Sequence, residues 1–351
     1  MNILMLTEID NLQFSSLNKK AIQELKKQGI VTFGQLVELV EKRSKYLKNF
    51  NINCKKVREE CQSYSQKMGQ ESFAFTHKPL IIPPMGMVLN PNDNEVIMQR
   101  RFDTKQERQD LTELAHDLEP ELPDEYFLMD KMQAIRNQGN LGSCVGFGSI
   151  SAREFLVQKE LSPGYGYRGA KMIDGYPNLE GSWQEFSFEF MYRYGAVTEK
   201  EYSYQKCLNN ECIKPYLNKA KEFKINGYVD LMVSPENLAL VLKAALSGHL
   251  VPEIGSRPVS ISLELYESFC DWSAYTTGLI PVPIEGEKTV GGHAMCVAGY
   301  TTLYGVKYFI VSNSWGKDFA KDSPLELPGY ALIPEAYIAK GGLTHELIIP
   351  Y

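Results

Sequence analysis

Apolar residues recur at helical spacing along the first 70 positions of the chain. In the first stripe they lie four residues apart, at Leu17, Ala21 and Leu25. This stripe predicts a helix that Ser16 caps and Gly29 closes, because serine accepts from a first helical turn and glycine tolerates a left-handed helix end. Two further stripes follow, with Thr32 as the next cap, at Phe33, Leu36, Val37, Val40, and at Leu47, Phe50, Val57 and Cys61. The sequence therefore predicts a small all-α unit over residues 1–70.

The helical pattern ends between residues 71 and 121. The first half of this segment contains four prolines, which exclude a regular helix there: Pro79, Pro83, Pro84 and Pro91. The run 80–89 is apolar and extended, so we expect it to lie against another surface. A charged helix is predicted over 103–117. This Pro-containing linker is long enough to be functional.

From residue 122 the chain alternates helical and strand patterns. Long helices are predicted over 143–159 and 182–194, and short β-rich runs follow residue 220, at 259–263, 294–300 and 308–312. Helices first and strands later indicate an α+β unit with two lobes. The predicted division is thus 1–70, 71–121 and 122–351.

Composition excludes several classes of protein. Of the 351 residues 44% are apolar and 23% are charged, which is typical of a globular chain and not of a disordered one. No run of 18 apolar residues and no secretory leader is seen, so we expect no membrane partner and a cytoplasmic location. Residues 1–70 carry 12 basic and 7 acidic residues, a net charge of +5, against −11 for the remainder. This asymmetry indicates two units with different partners.

The seven cysteines do not form the pattern of a disulfide framework, because their number is odd and their positions scatter. Cys207 and Cys212 lie five apart, which leaves a small staple or half a metal site open. No second Cys/His pair has metal-ligand spacing. We expect free thiols, no metal and no cofactor.

Three separated motifs carry the candidate chemistry. A glycine-rich turn leads into a predicted helix that begins near Cys144, where the positive end of the helix dipole would lower the pKa of a thiol. A nucleophilic thiol also needs a base. His293 lies 149 residues downstream, at the predicted start of a strand, and Asn313 follows the next strand. Adjacent strands would bring the two side by side, and the asparagine would orient the imidazole.

At these residues the chain resembles the papain-family (C1) cysteine peptidases over about 230 residues. The matching segments are 137–139 with 142–144, 291–294 and 313–316, and the Cys, His and Asn spacing is the one known for that family. The resemblance implies a two-lobed papain-like fold and peptide-bond hydrolysis through a thioester. It makes Cys144 the nucleophile and His293 the general base and acid. It assigns the orienting role to Asn313 and the oxyanion hole to Gln138 with the Cys144 N–H. The expected substrate-binding residues are Gly181, Ser182, Gly292 and Trp315, the last also shielding the His–Asn pair from water.

The chain departs from this family in two places near the nucleophile. Leu141 stands where the family usually has a disulfide-bonded cysteine, which agrees with a reducing compartment. Val145 stands where the family has an aromatic residue. Two other outcomes therefore stay open: transfer of the acyl group to an amine, as in a transpeptidase, and a catalytically silent peptide-binding module.

The N-terminal segment 12–68 resembles the C-terminal domain of the bacterial RNA polymerase α subunit, a helix-hairpin-helix fold. The segments that carry this resemblance are 12–16 and 29–36. It implies a protein or nucleic-acid partner for residues 1–70. The second hairpin, 50–54, lacks the family's glycine, which favours a protein-docking or purely structural role over DNA contact. No usual helical prosegment precedes residue 122, so we predict that residues 79–91 cover the cleft.

Overall fold

The computed structural model describes residues 3–50, 52–67, 85–87 and 105–351. Its α-helices are α1 Ile3–Leu6, α2 Lys19–Lys27, α3 Phe33–Lys42, α4 Cys54–Lys67, α5 Lys105–Leu118, α6 Cys144–Val157, α7 Pro163–Ile173, α8 Gln184–Arg193, α9 Tyr204–Leu208, α10 Leu217–Ala220, α11 Pro235–Leu246, α12 Trp272–Thr277 and α13 Glu335–Ile338. Short 3₁₀ turns are Ile9–Asn11, Ser44–Phe50, Glu119–Glu121, Met129–Lys131, Lys214–Tyr216, Lys221–Phe223 and Glu267–Cys270. Helices dominate the first part of the chain, as the periodicity predicts.

The strands form one sheet, and all of them except β1 lie in the second half of the chain. They are β1 Tyr126–Phe127, β2 Tyr228–Asp230, β3 Val259–Tyr266, β4 Thr289–Leu303, β5 Val306–Ser312, β6 Tyr330–Pro334 and β7 Thr344–Pro350. The sheet order is β2-β7-β3-β4-β5-β6, with β1 paired to β4, and every pairing is antiparallel. The helices α6, α7 and α8 pack together, and α6 lies on β4. A helical lobe thus faces an antiparallel sheet, as expected for an α+β fold.

The N-terminal helices have their own buried core, but one predicted cap is wrong. Helix α2 begins at Lys19, and its N-cap is Asn18, whose side chain accepts from the N–H of Ala21 at 2.9 Å. Ser16 instead donates to the carboxylate of Glu60 on α4. The Thr32 cap is as predicted, and it forms a capping box with Gln35.

This N-terminal unit is packed against the rest of the molecule. The carboxylate of Glu38 on α3 accepts the backbone N–H groups of Trp272 and Ser273, each at 3.0 Å, and so caps α12. Arg43 forms a buried ion pair with Asp271. The unit therefore contacts the segment that connects β3 to β4.

The structure moves two predicted boundaries. His293 lies inside β4, four residues beyond its start at Thr289, because the strand continues into the exposed residues that precede it. The helix predicted over 182–194 begins at Gln184, after the extended residue Trp183. All seven cysteines are free thiols. Among the described residues we find no cluster of metal ligands and no helix long and apolar enough to cross a membrane.

Candidate active site

Cys144 is the first residue of α6, where the backbone turns from the loop 137–143 into the helix. Its side chain is fully buried. The backbone N–H of Ala294 on β4 points at its sulfur, with an N···Sγ distance of 3.4 Å. Since Ala294 directly follows His293, this contact places the thiol against the part of β4 that carries the histidine.

His293 and Asn313 form the second part of the site. The Nε2 atom of His293 lies 2.8 Å from Oδ1 of Asn313, and the same oxygen accepts the N–H of Ser314 at 2.8 Å. An oxygen with this role makes Nε2 the protonated nitrogen, which leaves a lone pair on Nδ1. Among the described residues Nδ1 has no hydrogen-bond partner. The imidazole is thus oriented with its basic atom unengaged.

Trp315 covers the imidazole. The two rings are 5.1 Å apart between centroids, with planes tilted by 34°. The indole is itself buried against Phe269 and Phe319. This packing keeps water from the hydrogen bond between His293 and Asn313. No contact among the described residues joins Trp315 to residues 85–87 of the linker.

Gln138 ties the nucleophile loop to the loop that carries Asn313. Its Nε2 donates to the carbonyl of Leu141 at 3.0 Å, and its Oε1 accepts from the hydroxyl of Ser314 at 2.6 Å. Its backbone N–H donates to the carbonyl of Ser314 at 2.8 Å, and its own carbonyl accepts from Tyr204 at 2.6 Å. The side chain is completely buried. Its amide is therefore held between the loop that leads to Cys144 and the loop that carries Asn313.

A short piece of the linker occupies the cleft. The N–H of Met87 donates to the carbonyl of Gly292 at 3.1 Å, and the carbonyl of Gly86 accepts from the N–H of Ser182 at 2.8 Å. Met87 makes a parallel bridge to Ser182 and an antiparallel bridge to Gly292. The segment 85–87 thus runs as an extra strand between the two lobes. It pairs with Ser182 and Gly292, two of the four residues that the sequence predicted to bind substrate. A third, Gly181, directly precedes Ser182 and has a φ of 90°.

The segment presents a backbone N–H to the thiol. The backbone N–H of Gly86 faces the sulfur of Cys144. In a trans peptide the carbonyl of Met85 points the opposite way, and the carbonyl of Gly86 is taken by Ser182. The bound chain therefore pairs like a peptide ligand and turns an amide N–H, and not a carbonyl oxygen, towards the sulfur.

Burial controls the protonation of both candidate catalytic groups. It raises the pKa of Cys144 to about 11, although the N–H groups of Ala294 and Gly86 act in the other direction. It lowers the pKa of His293 to about 4, against a smaller opposite effect from Asn313. The lowered thiol pKa expected from the helix dipole is therefore not found in the covered site. Burial removes the hydration of the charged forms. The free energy lost in this way is larger than the stabilisation that one helix N-terminus and a few N–H donors provide.

Sequence reasoning missed several residues that shape the site. Glu180 accepts the N–H of Gly142 at 2.7 Å, and Lys171 and Asp174 hold the loop that ends at Ser182. No local pattern marks them, because their partners are backbone groups brought near by the fold. Gly86 lies within the segment that the sequence predicted to cover the cleft. The sequence did not predict that this residue passes closest to the loop before Cys144. The rest of residues 79–91 lies outside the described part of the chain.

The fold and the site are those of a two-lobed cysteine hydrolase. A thiol lies at the start of a helix on one side of the cleft, and a His–Asn pair lies on the other side. The chain belongs to the papain family: the family model described as "Papain family cysteine protease" matches residues 123–335. That match does not reach the N-terminal unit, so its resemblance to the polymerase domain stays a prediction.

Individual relatives agree with this assignment. The low-temperature-induced cysteine proteinase of Solanum lycopersicum is 27% identical over 221 residues, covering 62% of this chain and 57% of that protein. Cathepsin K of Mus musculus is 26% identical over 224 residues, covering 62% of this chain and 60% of its own length. The chain thus spans less than two thirds of these relatives. The crystal structure of xylellain, a cysteine protease from Xylella fastidiosa, covers 78% of this chain and 98% of its own, with 20% identity and a TM-score of 0.57. This last likeness shows the fold.

Proposed function

We propose that the protein is a cysteine endopeptidase that hydrolyses peptide bonds of protein or peptide substrates through Cys144, His293 and Asn313. The observation that carries this proposal is the orientation of His293. Its Nε2 is engaged by Asn313, while its Nδ1 is left to exchange a proton with the thiol beside Ala294. Membership of the papain family supports the same chemistry.

In this mechanism His293 takes the thiol proton and the thiolate of Cys144 attacks the carbonyl carbon of the substrate. The amide of Gln138 and the backbone N–H of Cys144 stabilise the oxyanion, and one such donor contributes about 3 kcal/mol to the transition state. His293 then gives its proton to the leaving amine, and a thioester remains. Water, deprotonated by the same histidine, cleaves the thioester and restores the thiol.

The fate of the thioester separates this proposal from the two alternatives. An amine that replaces water would form a new amide bond, so product masses measured with and without added amines distinguish hydrolysis from acyl transfer. A silent peptide-binding module would bind peptides and form no thioester. The complete set of Gln138, Cys144, His293 and Asn313 favours an enzyme.

Self-inhibition by residues 79–91 belongs to the proposal. Its support is the pairing of 85–87 with Ser182 and Gly292 and the burial of Cys144 beneath it. The bound segment excludes substrate, and it also keeps the thiol and the imidazole neutral, because both are cut off from water. Activity would then require that the segment leave the cleft.

The N-terminal unit is proposed to dock and regulate, with a protein partner favoured over nucleic acid. Its contacts through Glu38 and Arg43 to residues 271–273 support a regulatory role, since they lie on the connection to β4. A DNA-binding role would appear as a salt-dependent mobility shift. No shift at low salt would exclude it. A cytoplasmic location, suggested by the free thiols, is likewise a proposal.

The decisive experiment is intact-mass analysis of the full chain after treatment with an epoxysuccinyl peptide. We expect a single, slowly formed adduct that is absent from Cys144→Ala, because the segment 85–87 covers the thiol. A wild-type chain without an adduct has either a covered or an inactive site, and Gly86→Ala separates the two, because it displaces the segment 85–87. Labelling of that variant indicates a covered enzyme. Its failure to react, with the protein folded, would show the enzyme assignment to be wrong.

A further inference from the structure

The loop that carries Gly181 and Ser182 is held by charged side chains and not by a disulfide. All seven cysteines are free, and Leu141 stands where a disulfide-bonded cysteine would tie the nucleophile loop. The loop nevertheless contributes the N–H that binds the carbonyl of Gly86. Something else must keep that N–H in place, because a mobile donor binds a peptide weakly.

A buried ion pair at the end of α7 holds the distal part of the loop. The ammonium of Lys171 donates to Oδ2 of Asp174 at 2.6 Å, to the carbonyl of Tyr176 at 2.7 Å and to the carbonyl of Gly181 at 3.0 Å. These contacts use all three N–H donors of a lysine. The lysine side chain is 11% exposed and that of Asp174 is 0% exposed.

Asp174 completes the connection. Its Oδ2 also accepts from the hydroxyl of Ser182 at 2.9 Å, and its Oδ1 accepts from the N–H of Tyr176 at 2.9 Å. The ion pair therefore grips both ends of the loop, at Tyr176 and at Ser182. A charge-assisted hydrogen bond of this kind is stronger than a neutral one.

Glu180 links the same loop to the nucleophile. Its Oε1 accepts the backbone N–H of Gly142, two residues before Cys144, at 2.7 Å. Residues 180–182 thus each take part in one charge-assisted hydrogen bond: Glu180 through its own carboxylate, Gly181 with Lys171, and Ser182 with Asp174. The first of these ties crosses to the loop that carries the thiol.

We infer that Lys171, Asp174 and Glu180 are positioning residues, which together hold the peptide-binding loop in register with Cys144 in place of a disulfide. They act through Ser182 and Gly142 and touch no reacting atom. This inference rests on the proposed peptidase function. It predicts that loosening the ties weakens peptide binding more than it slows the chemical step.

The test uses the full chain carrying Gly86→Ala, so that the cleft is open. Ser182→Ala removes the hydroxyl tie and keeps the backbone N–H, whereas Glu180→Ala removes the tie to Gly142. For each we expect KM for a fluorogenic peptide to rise about tenfold, as for the loss of one charge-assisted bond, with a smaller change in kcat. Glu180→Gln keeps an acceptor oxygen and should recover most of the loss. The control Lys219→Met removes an exposed ion pair to Glu201 and should leave KM unchanged.

Two further readouts separate positioning from general damage. Alkylation of Cys144 by iodoacetamide needs no bound peptide, so its rate in the open variants should stay within about twofold of the parent. The double variant Lys171→Met/Asp174→Leu, checked by its melting curve, should show the largest KM. An unchanged KM, or equal losses in kcat and alkylation, would overturn the inference.

Failure of the proposed function would look different. The parent Gly86→Ala would then hydrolyse no peptide, and the inference is tested in the chain that keeps Gly86. There Ser182→Ala should speed alkylation of Cys144 by iodoacetamide. Without the hydroxyl bond to Asp174, the N–H of residue 182 that binds Gly86 is held less firmly. Equal rates for Ser182→Ala and wild type would exclude the positioning role independently of any proteolysis.

Discussion

Gly86 lies so close to Gly142 that a Cβ at position 86 would stand 2.1 Å from the carbonyl oxygen of Gly142. No side chain fits there, because real Cβ atoms do not approach backbone atoms within 3.0 Å. The covering segment therefore passes the loop 137–143 at a glycine, the one residue type without a Cβ. A substitution at this position tests whether the segment covers the cleft.

Gly86→Ala should displace the segment 85–87 from the cleft. The methyl group cannot be accommodated between two backbones, so the segment loses its bonds to Ser182 and Gly292. We expect the rate of Cys144 modification by an epoxysuccinyl peptide to rise at least about tenfold, measured by intact mass. The control is Gly341→Ala, whose Cβ would have its nearest neighbour at an ordinary 3.8 Å. Equal rates for both variants would rule out the cover.

Asn313→Ala should lower kcat in the open chain by about tenfold to a hundredfold. The lost hydrogen bond stabilises the charged imidazolium, and a bond to a charged group is worth about 1.5–3 kcal/mol. KM should change little, because Asn313 reaches the substrate only through His293. Steady-state kinetics check this, with Asn209→Ala as a control in which only an exposed bond to Gln205 is lost. A loss confined to KM would contradict the orienting role.

Acid should destabilise the covered protein through His293. An unfolded histidine has a pKa near 6.5, while burial lowers the pKa of His293 in the fold to about 4. The fold keeps the neutral ring, so this contribution is complete above pH 6.5 and is lost as the pH falls towards 4. The loss amounts to about 3 kcal/mol.

This effect is measured as the free energy of unfolding in urea at several pH values, for wild type and for His293→Gln. From pH 7 to pH 4 the free energy of unfolding of wild type should fall by about 3 kcal/mol more than that of the variant, because the variant has no group to titrate at this position. Parallel pH profiles would show that His293 is already exposed to water in the protein.

Arg43→Met should destabilise the protein by about 1.5–3 kcal/mol, as expected for the loss of hydrogen bonds to a charged group. It removes the bidentate partner of Asp271 and a second charge contact to Glu287, while Lys42 stays paired with Asp271 at 3.0 Å. The exposed helical pair of Arg193 with Glu189 provides the control, and Arg193→Met should cost about 0.5 kcal/mol or less. Thermal unfolding measures both. Equal, small effects would mean that the N-terminal unit is only loosely attached.

The apolar pattern predicted much of the local structure. The helices around Leu25, Val40 and Phe155 and the strands around Ile261, Val297 and Ile310 were predicted at nearly the right places, because periodic burial is written directly into the order of residues. The errors fall at the ends. Asn18 caps α2 instead of Ser16 since Ser16 finds a partner on α4, which is a long-range contact.

The chemistry was visible in the sequence for a similar reason. A thiol after a glycine-rich turn and a His–Asn pair on successive strands are local motifs, and family membership is confirmed by the match over residues 123–335. The structure brings Gln138, Cys144, His293 and Asn313 together as the motifs predict, although their catalytic roles stay proposals. The protonation of Cys144 did not follow from the motif, because burial outweighs the helix end.

By itself, the sequence determined the elements, the family and the candidate catalytic residues, since each depends on neighbours along the chain. Only the tertiary structure decided what lies over the thiol, which charges hold the loop of Ser182 and how the N-terminal unit is attached. Those features join residues as far apart as Met87 and Gly292, or Arg43 and Asp271. Desolvation and backbone hydrogen bonding act across such contacts, and no local pattern of residue types records them.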